Sequence, residues 1–181
     1  MNAEDQKYLL YGETTFDGLY SMLDEPAIKE DLEKSKIFYD LGSGTGKVSV
    51  GASLLLSNLE KILGIELVPT LHETANQVTQ KLPQTEPSLA SKLEFMNKNF
   101  FDVDFSYPFP ADVIFKTCLI DNAEHLDLKL EEKMKKELKP GTIIVSYIKS
   151  MQDIITFLPL ISKRVPSSFG GMTVHYYRKV S

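Results

Sequence analysis

Apolar residues along the chain follow two spacings, one typical of buried strands and one typical of helices. Short, mostly apolar runs predict strands that are covered on both faces. Five such runs span residues 36–41, 61–67, 91–100, 111–119 and 141–148. Two more strands are predicted near the C-terminus, at 155–165 and 170–180, joined by a turn at Gly170-Gly171.

Between these runs, apolar residues recur every three or four positions, which is the spacing of one helix face. The first segment places Phe16, Leu19, Tyr20 and Leu23 on such a face, and a short helix is predicted at 27–34. Three later faces carry Val48, Ala52, Leu55, Leu56 and Leu59; then Leu71, Ala75, Val78 and Leu82; then Leu126, Leu130, Met134 and Leu138. Alternating strands and helices predict an α/β fold, with a seven-stranded, mostly parallel sheet, helices on both faces and a C-terminal antiparallel hairpin.

The composition is that of an ordinary globular domain, with 43% hydrophobic and 25% charged residues over 181 positions. No apolar run is long enough to cross a bilayer, so we expect no membrane association. The one cysteine, Cys118, excludes an internal disulfide and a cysteine-rich zinc site, and the three histidines have no ligand spacing, so no metal is expected. The single cysteine favours an intracellular protein, cytoplasmic or nuclear. The net charge of -5 makes direct nucleic-acid binding an unfavoured function.

A glycine-rich segment follows the first predicted strand, and three kinds of nucleotide loop compete for it. A phosphate-binding loop would need glycine in place of Leu41 and a hydroxyl in place of Val48. A dinucleotide loop would need glycine in place of Lys47. The pattern D-x-G-x-G-x-G fits residues 40–46, and it favours a loop whose backbone approaches a nucleoside closely.

The acidic residue Glu66 ends the next predicted strand, where a carboxylate can accept both hydroxyls of a ribose. Together with the "LKPG" turn and the seven strands, this arrangement resembles class I S-adenosylmethionine (SAM)-dependent methyltransferases. The resemblance implies SAM as the cofactor, S-adenosylhomocysteine as the product and no metal. The residues that it implies for the cofactor loop are Asp40, Gly42, Gly44 and Gly46.

Four segments resemble one branch of that superfamily more closely. They are "YGETTFDGLYSML", "DLGSGTGKVSV", "GIELVPTLHETA" and "MTVHYYRKV", and in this order they are similar to the non-SET histone lysine methyltransferases, the disruptor-of-telomeric-silencing family. The likeness implies a cofactor-covering N-terminal part (1–35) and a SAM-binding core (36–181) in one compact domain. It also implies Glu13 and Thr14 at the methionine end of the cofactor, Asn99 at the adenine amino group and Phe100 stacked on the base.

The family's substrate is a histone lysine, so the resemblance favours a protein acceptor. Where the family has paired asparagines, this chain has Thr117 and Cys118, and the family's long basic segment has no counterpart. Candidates for the wall of an acceptor channel are Tyr11, Thr117, Cys118 and Tyr177. Two other functions therefore stay open: a methyltransferase acting on a small molecule or RNA, and a non-catalytic SAM-binding subunit that needs a partner.

Overall fold

The protein is represented by a computed structural model that describes residues 9–10, 14–82, 86–117, 119–120, 124–147, 151, 153–168 and 170–181. The strands are β1 (Leu9–Leu10), β2 (Ile37–Leu41), β3 (Lys61–Glu66), β4 (Leu93–Asn97), β5 (Val113–Lys116), β6 (Leu119–Ile120), β7 (Ile143–Ser146), β8 (Phe157–Ser167) and β9 (Gly170–Lys179). The α-helices are α1 (Phe16–Leu23), α2 (Lys29–Lys34), α3 (Lys47–Leu55), α4 (Pro69–Lys81), α5 (Pro87–Ala90) and α6 (Glu124–Glu137). Single 3₁₀ turns span Pro26–Ile28 and Phe100–Asp102. Among these described helices, none has the length and apolar character needed to cross a bilayer.

Seven strands form one mixed sheet in the order β4-β3-β2-β5-β7-β9-β8. The first five of these strands are mutually parallel, and β9 runs antiparallel to both β7 and β8. This confirms the predicted parallel sheet with its C-terminal hairpin. Strands β1 and β6 form a separate antiparallel pair. The carboxyl ends of the parallel strands lie along one edge of the sheet, where ligands bind in open α/β folds.

Two apolar layers cover the sheet, one on each face. Successive side chains of a strand point to opposite faces, so Phe38 and Tyr39 enter different layers. The first layer joins the sheet to helices α1, α2 and α3 through Leu19, Met22, Leu32, Val48, Ala52, Ile62, Val113, Ile143 and Tyr176. The second layer joins it to α6 through Leu63, Ile114, Leu130, Met134, Ile144 and Tyr177. Burial of both faces accounts for the almost continuous apolar runs of the central strands.

Helix α1 packs with a face that includes Leu19 but excludes two of the predicted positions. Leu19 is 2% exposed, whereas Phe16 and Tyr20 are 58% and 52% exposed. On its packed side, Gly18 lies close to the backbone carbonyl of Pro166 in β8. The predicted helix is present, but spacing alone gives a helix face and not its centre, so Phe16 and Tyr20 lie outside the buried part of that face.

Two predicted boundaries also differ from the structure. Ser167 pairs with Gly170, so the hairpin turn lies before Gly170 and not at Gly170-Gly171. Helix α3 ends at Leu55, and Leu59 is buried beyond the end of the helix. Leu59 is therefore buried as predicted, but it lies outside the helix on which its spacing had placed it.

The contact between Gly18 and β8 predicts that Gly18→Ala destabilises the fold. A Cβ at this position would clash with the Pro166 carbonyl oxygen, which is backbone and cannot rotate away. We expect the free energy of unfolding to fall by about 1–3 kcal/mol, as for overpacked cores, in a urea titration. The matched control is Asp17→Ala in the same helix, where the side chain is exposed and the loss stays below about 1 kcal/mol. Equal unfolding midpoints for the two variants would contradict the proposed contact.

Candidate functional site

The glycine loop connects β2 to α3 at the carboxyl edge of the sheet. Gly42, Gly44 and Gly46 have φ values of 78°, 55° and 84°, a left-handed backbone that residues with a Cβ rarely adopt. Their neighbours fix the loop, since the Gly42 N–H donates to the Ile65 carbonyl at 2.8 Å. A Cβ on Gly46 would lie 2.7 Å from the Phe95 ring. The D-x-G-x-G-x-G spacing thus matches a backbone that needs glycine at three alternate positions.

Asp40 lies beneath this loop and is 1% exposed. The Ser49 hydroxyl of α3 donates to its carboxylate at 2.7 Å. Burial raises the pKa of Asp40 to about 7, the Ser49 hydrogen bond opposes the rise, and the negative charge of Glu66 adds to it. Asp40 is therefore tied to helix α3 through Ser49, and its predicted contact with the cofactor stays a prediction.

Glu66 ends β3, and both of its carboxylate oxygens accept backbone hydrogen bonds. Oε2 accepts from the Gly44 N–H at 2.8 Å, and Oε1 accepts from the Val68 N–H at 2.7 Å. One bond ties the carboxylate to the glycine loop and the other to the start of α4. Each oxygen keeps a lone pair, so this nearly buried carboxylate can accept two further hydroxyl groups.

The next strand along the edge, β4, is followed by Asn99 and Phe100. The Asn99 side-chain oxygen accepts from the Phe101 N–H at 3.1 Å and caps the 3₁₀ turn. Its amide group carries two more donors, and the half-buried Phe100 ring lies 4.8 Å from the Phe101 ring. The structure therefore brings Asn99 and Phe100 to the edge that also carries Glu66 and the glycine loop, on adjacent strands β4, β3 and β2.

A second group of side chains lies at the ends of β5 and β7. Thr117 follows β5 directly, and the Thr14 hydroxyl donates to the Thr117 hydroxyl at 3.3 Å. Thr14 also pairs with Ser167 of β8, so the N-terminal segment reaches across this edge. The residue before Thr117, Lys116, is buried and donates to Asp127 of α6 at 3.2 Å, which fixes the end of β5.

Of the remaining predicted site residues, Tyr177 is described by the structure and the others are not. Tyr11, Glu13 and Cys118 lie outside the described residues. Tyr177 is buried in the layer beneath α6, and its hydroxyl accepts from the Met151 N–H at 3.4 Å. Burial raises the pKa of Tyr177, and the structure does not join its hydroxyl to Thr117. The structure shows Tyr177 as a packing residue of this layer, and its place in an acceptor channel stays a prediction.

Sequence reasoning did not include two residues that lie at this edge. The Asn97 amide donates to the carbonyls of Glu66 and Leu67 at 2.8 and 3.1 Å, and so ties the end of β4 to the end of β3. Tyr147 directly follows β7, and its N–H donates to the Lys116 carbonyl at 3.2 Å. Asn97 directly follows the apolar pair Phe95-Met96, a signal that could have identified it, whereas Tyr147 follows Ser146 and has no such signal.

A cavity of about 470 Å³ lies on the outer side of the glycine loop, between α1, α3 and α4. Its lining combines four threonines and a lysine with mainly apolar residues: Thr14, Thr15, Phe16, Leu19, Thr45, Gly46, Lys47, Val50, Gly51, Leu54, Thr74 and Val78. Glu66 and Asn99 do not line it.

The described residues contain no cluster of three or more potential metal ligands. The edge of the sheet therefore offers hydrogen bonding and stacking for a nucleoside on one side and hydroxyl groups on the other.

Comparisons with known proteins agree with this geometry. A family model described as histone methylation protein DOT1 matches residues 5–158. A protein-lysine N-methyltransferase from Saccharolobus islandicus (strain REY15A) is 29% identical over 129 residues, which is 68% of this chain and 71% of the relative.

Two solved structures share the fold over most of their length. An rRNA methylase from Streptococcus thermophilus has a TM-score of 0.61 at 14% identity and covers 86% of this chain and 93% of that one. The N-methyltransferase NodS from Bradyrhizobium japonicum WM9 has a TM-score of 0.59 at 12% identity, with 87% and 99% covered. Similarity at these identities shows the fold alone, and the predicted class I methyltransferase fold is confirmed.

The raised pKa of Asp40 predicts a pH-dependent stability that Asp40→Asn removes. The unfolded carboxyl has a pKa of about 3.9, and the folded one of about 7. Between these values the folded state keeps a proton that the unfolded state releases, so the contribution of Asp40 to stability is lost as pH rises from about 4 to about 7. Relative to Asp40→Asn, the wild-type free energy of unfolding should fall over this range by up to about 4 kcal/mol.

Urea titrations of both proteins across that pH range provide the measurement. Asp104→Asn is the control, because Asp104 is exposed and hydrogen bonds from Ser106 lower its pKa, so it does not titrate in this range. A constant difference between wild type and Asp40→Asn would show that Asp40 is ionised in the folded protein throughout.

Proposed function

This chain belongs to the DOT1 histone methylation family and is a SAM-dependent methyltransferase, and on that premise we propose that its acceptor is the side-chain amine of a protein lysine. The observation that carries the proposal is its similarity to the Saccharolobus protein-lysine N-methyltransferase. The acidic net charge of the chain, -5, suits a basic protein substrate better than a polyanion.

The residues at the carboxyl ends of β2, β3 and β4 fit the chemistry of SAM. Glu66 would accept the two ribose hydroxyls with the lone pairs that its backbone contacts leave open. Asn99 would face the adenine amino group, Phe100 would stack on the base, and Thr14 would lie at the methionine end. Bound SAM supplies a methyl group already activated on a sulfonium, so the protein needs no nucleophilic side chain and acts mainly by alignment.

The acceptor lysine would bind at the carboxyl ends of β5 and β7. The described hydroxyls of Thr14 and Thr117 are neutral groups that donate and accept hydrogen bonds without adding charge. A weakly polar, desolvated site favours the neutral form of an amine, which is the form that can be methylated. The chain therefore binds and orients the acceptor with hydroxyl groups in place of the family's asparagine amides.

Methyl transfer from radiolabelled SAM tests the proposal. Nucleosomes, free core histones and a native lysate of the encoding organism are offered in parallel, and labelled protein is digested to locate methyl-lysine by mass spectrometry. We expect label on protein lysines that protease treatment removes and ribonuclease treatment does not. The control is Glu66→Ala, which should lose transfer at low SAM concentration.

The other outcomes separate the competing functions. Label that ribonuclease removes, or that stays in a small-molecule fraction, would replace the lysine acceptor by RNA or by a metabolite. Cofactor binding without any transfer, restored by addition of a partner fraction, would identify a SAM-binding subunit that needs a second chain.

A separate prediction concerns the cofactor alone. Glu66→Ala should weaken SAM binding by about 1–3 kcal/mol in calorimetry, because two ribose hydroxyls lose their acceptor. The matched control is Glu60→Ala at the opposite end of β3, where an exposed carboxylate pairs with Lys36 and the charge change is the same. We expect an unchanged affinity for this control. Equal affinities for wild type and Glu66→Ala would exclude Glu66 from the site.

A further inference from the structure

The hydroxyl of Tyr147 is a buried polar group that completes no hydrogen bond of normal geometry with the described residues, although the Thr14 side chain lies near enough to oppose the rise in pKa that burial causes. The ring is half-buried and packs against the layer beneath α1, while the hydroxyl oxygen is fully covered. An unsatisfied buried hydroxyl costs stability, and native proteins keep few of them. A group that a fold keeps at such a cost is a candidate for a function in which the missing partner is a ligand.

Its position supports that interpretation. Tyr147 directly follows β7, Thr117 directly follows the neighbouring β5, and the Tyr147 N–H donates to the Lys116 carbonyl at 3.2 Å. Strand β2, which leads into the glycine loop, lies on the other side of β5. The hydroxyl therefore belongs to the carboxyl edge that carries the cofactor loop, on the side away from Glu66.

Two further hydroxyls lie in the same region. The Thr14 hydroxyl donates to the Thr117 hydroxyl at 3.3 Å, a long hydrogen bond. Burial raises the pKa of the Tyr147 hydroxyl above its ordinary value, and a weak hydrogen-bonding interaction with the Thr14 side chain opposes part of that rise. Because the ordinary value is already about 10, the phenol is neutral at physiological pH and can accept one hydrogen bond while donating another.

We propose, on the premise that the chain methylates lysine, that the Tyr147 hydroxyl binds the acceptor amine by accepting one of its N–H groups. Tyr147 would thereby hold the lysine at the end of β7, beside Thr117, with the nitrogen lone pair directed towards the cofactor side. The ligand class for this site is a neutral primary amine on a flexible chain. Tyr147 is then a substrate-contacting residue that replaces, in this chain, part of what the family's asparagines do.

Methyl transfer conserves atoms and charge while the Tyr147 phenol stays neutral. The amine arrives deprotonated, and its lone pair forms the new nitrogen–carbon bond as the carbon–sulfur bond breaks. The positive charge passes from sulfur, which becomes a thioether, to nitrogen, which becomes a methylammonium. No proton moves to the protein in this step, so a hydrogen-bond acceptor that stays neutral is sufficient at Tyr147.

Tyr147→Phe tests the inference because it removes only the hydroxyl. With free core histones as the probe, or the labelled lysate proteins if histones are not labelled, we expect the initial rate of methyl transfer to fall about tenfold or more. We also expect the SAM affinity to stay within about twofold and the melting temperature to stay equal or to rise, because an unsatisfied buried oxygen is removed. A structural hydroxyl would give the opposite change in melting temperature.

The matched control is Tyr39→Phe, which removes a phenol hydroxyl that donates to the Phe109 carbonyl at 3.0 Å on the other face of the sheet. We expect it to lower the melting temperature and leave transfer unchanged. Tyr147→Phe with wild-type rates, or with a loss of SAM affinity that matches its loss of rate, would overturn the inference while the lysine function stands. Absence of lysine methylation by the wild-type protein itself would instead overturn the proposed function, and this inference with it.

Discussion

The backbone N–H groups of Gly44 and Val68 donate to the two oxygens of the Glu66 carboxylate, and the geometry of the proposed cofactor site depends on this pair of hydrogen bonds. One bond comes from the glycine loop and the other from the start of α4. The carboxylate is thereby oriented before any ligand arrives, so little ordering is left for binding. The same bonds explain why an acidic residue tolerates near-complete burial here.

The sheet divides the edge into two halves with different chemistry. The ends of β2, β3 and β4 carry glycine backbone, a carboxylate, amides and an aromatic ring, which suit a nucleoside. The ends of β5 and β7 carry the hydroxyls of Thr117 and Tyr147, and Thr14 closes over them from the N-terminal segment. Because Thr14 also pairs with Ser167 of β8, the C-terminal hairpin helps position this second half.

The residues that we propose for the cofactor could be singled out from the sequence because their signals are local. The spacing from Asp40 to Gly46 encodes a backbone that only glycine adopts easily, and Glu66 ends the next apolar run. In the half that we propose for the acceptor, the sequence singled out Thr117 but not Tyr147. Tyr147 looks like the continuation of a strand, and its meaning depends on which strand lies beside β7 and on what covers its hydroxyl.

The sequence by itself determined the order and type of the elements, the parallel sheet with its closing hairpin and the position of the glycine loop, because these follow from spacing within a few residues of chain. The tertiary structure alone decided which face of α1 is buried, where the hairpin turns and that Thr14 meets Thr117 103 positions away. These features depend on contacts between distant segments, such as Gly18 with Pro166, and on strand order. Neither leaves a periodic signal in the chain, because packing between distant segments is set by their shapes and not by local preference.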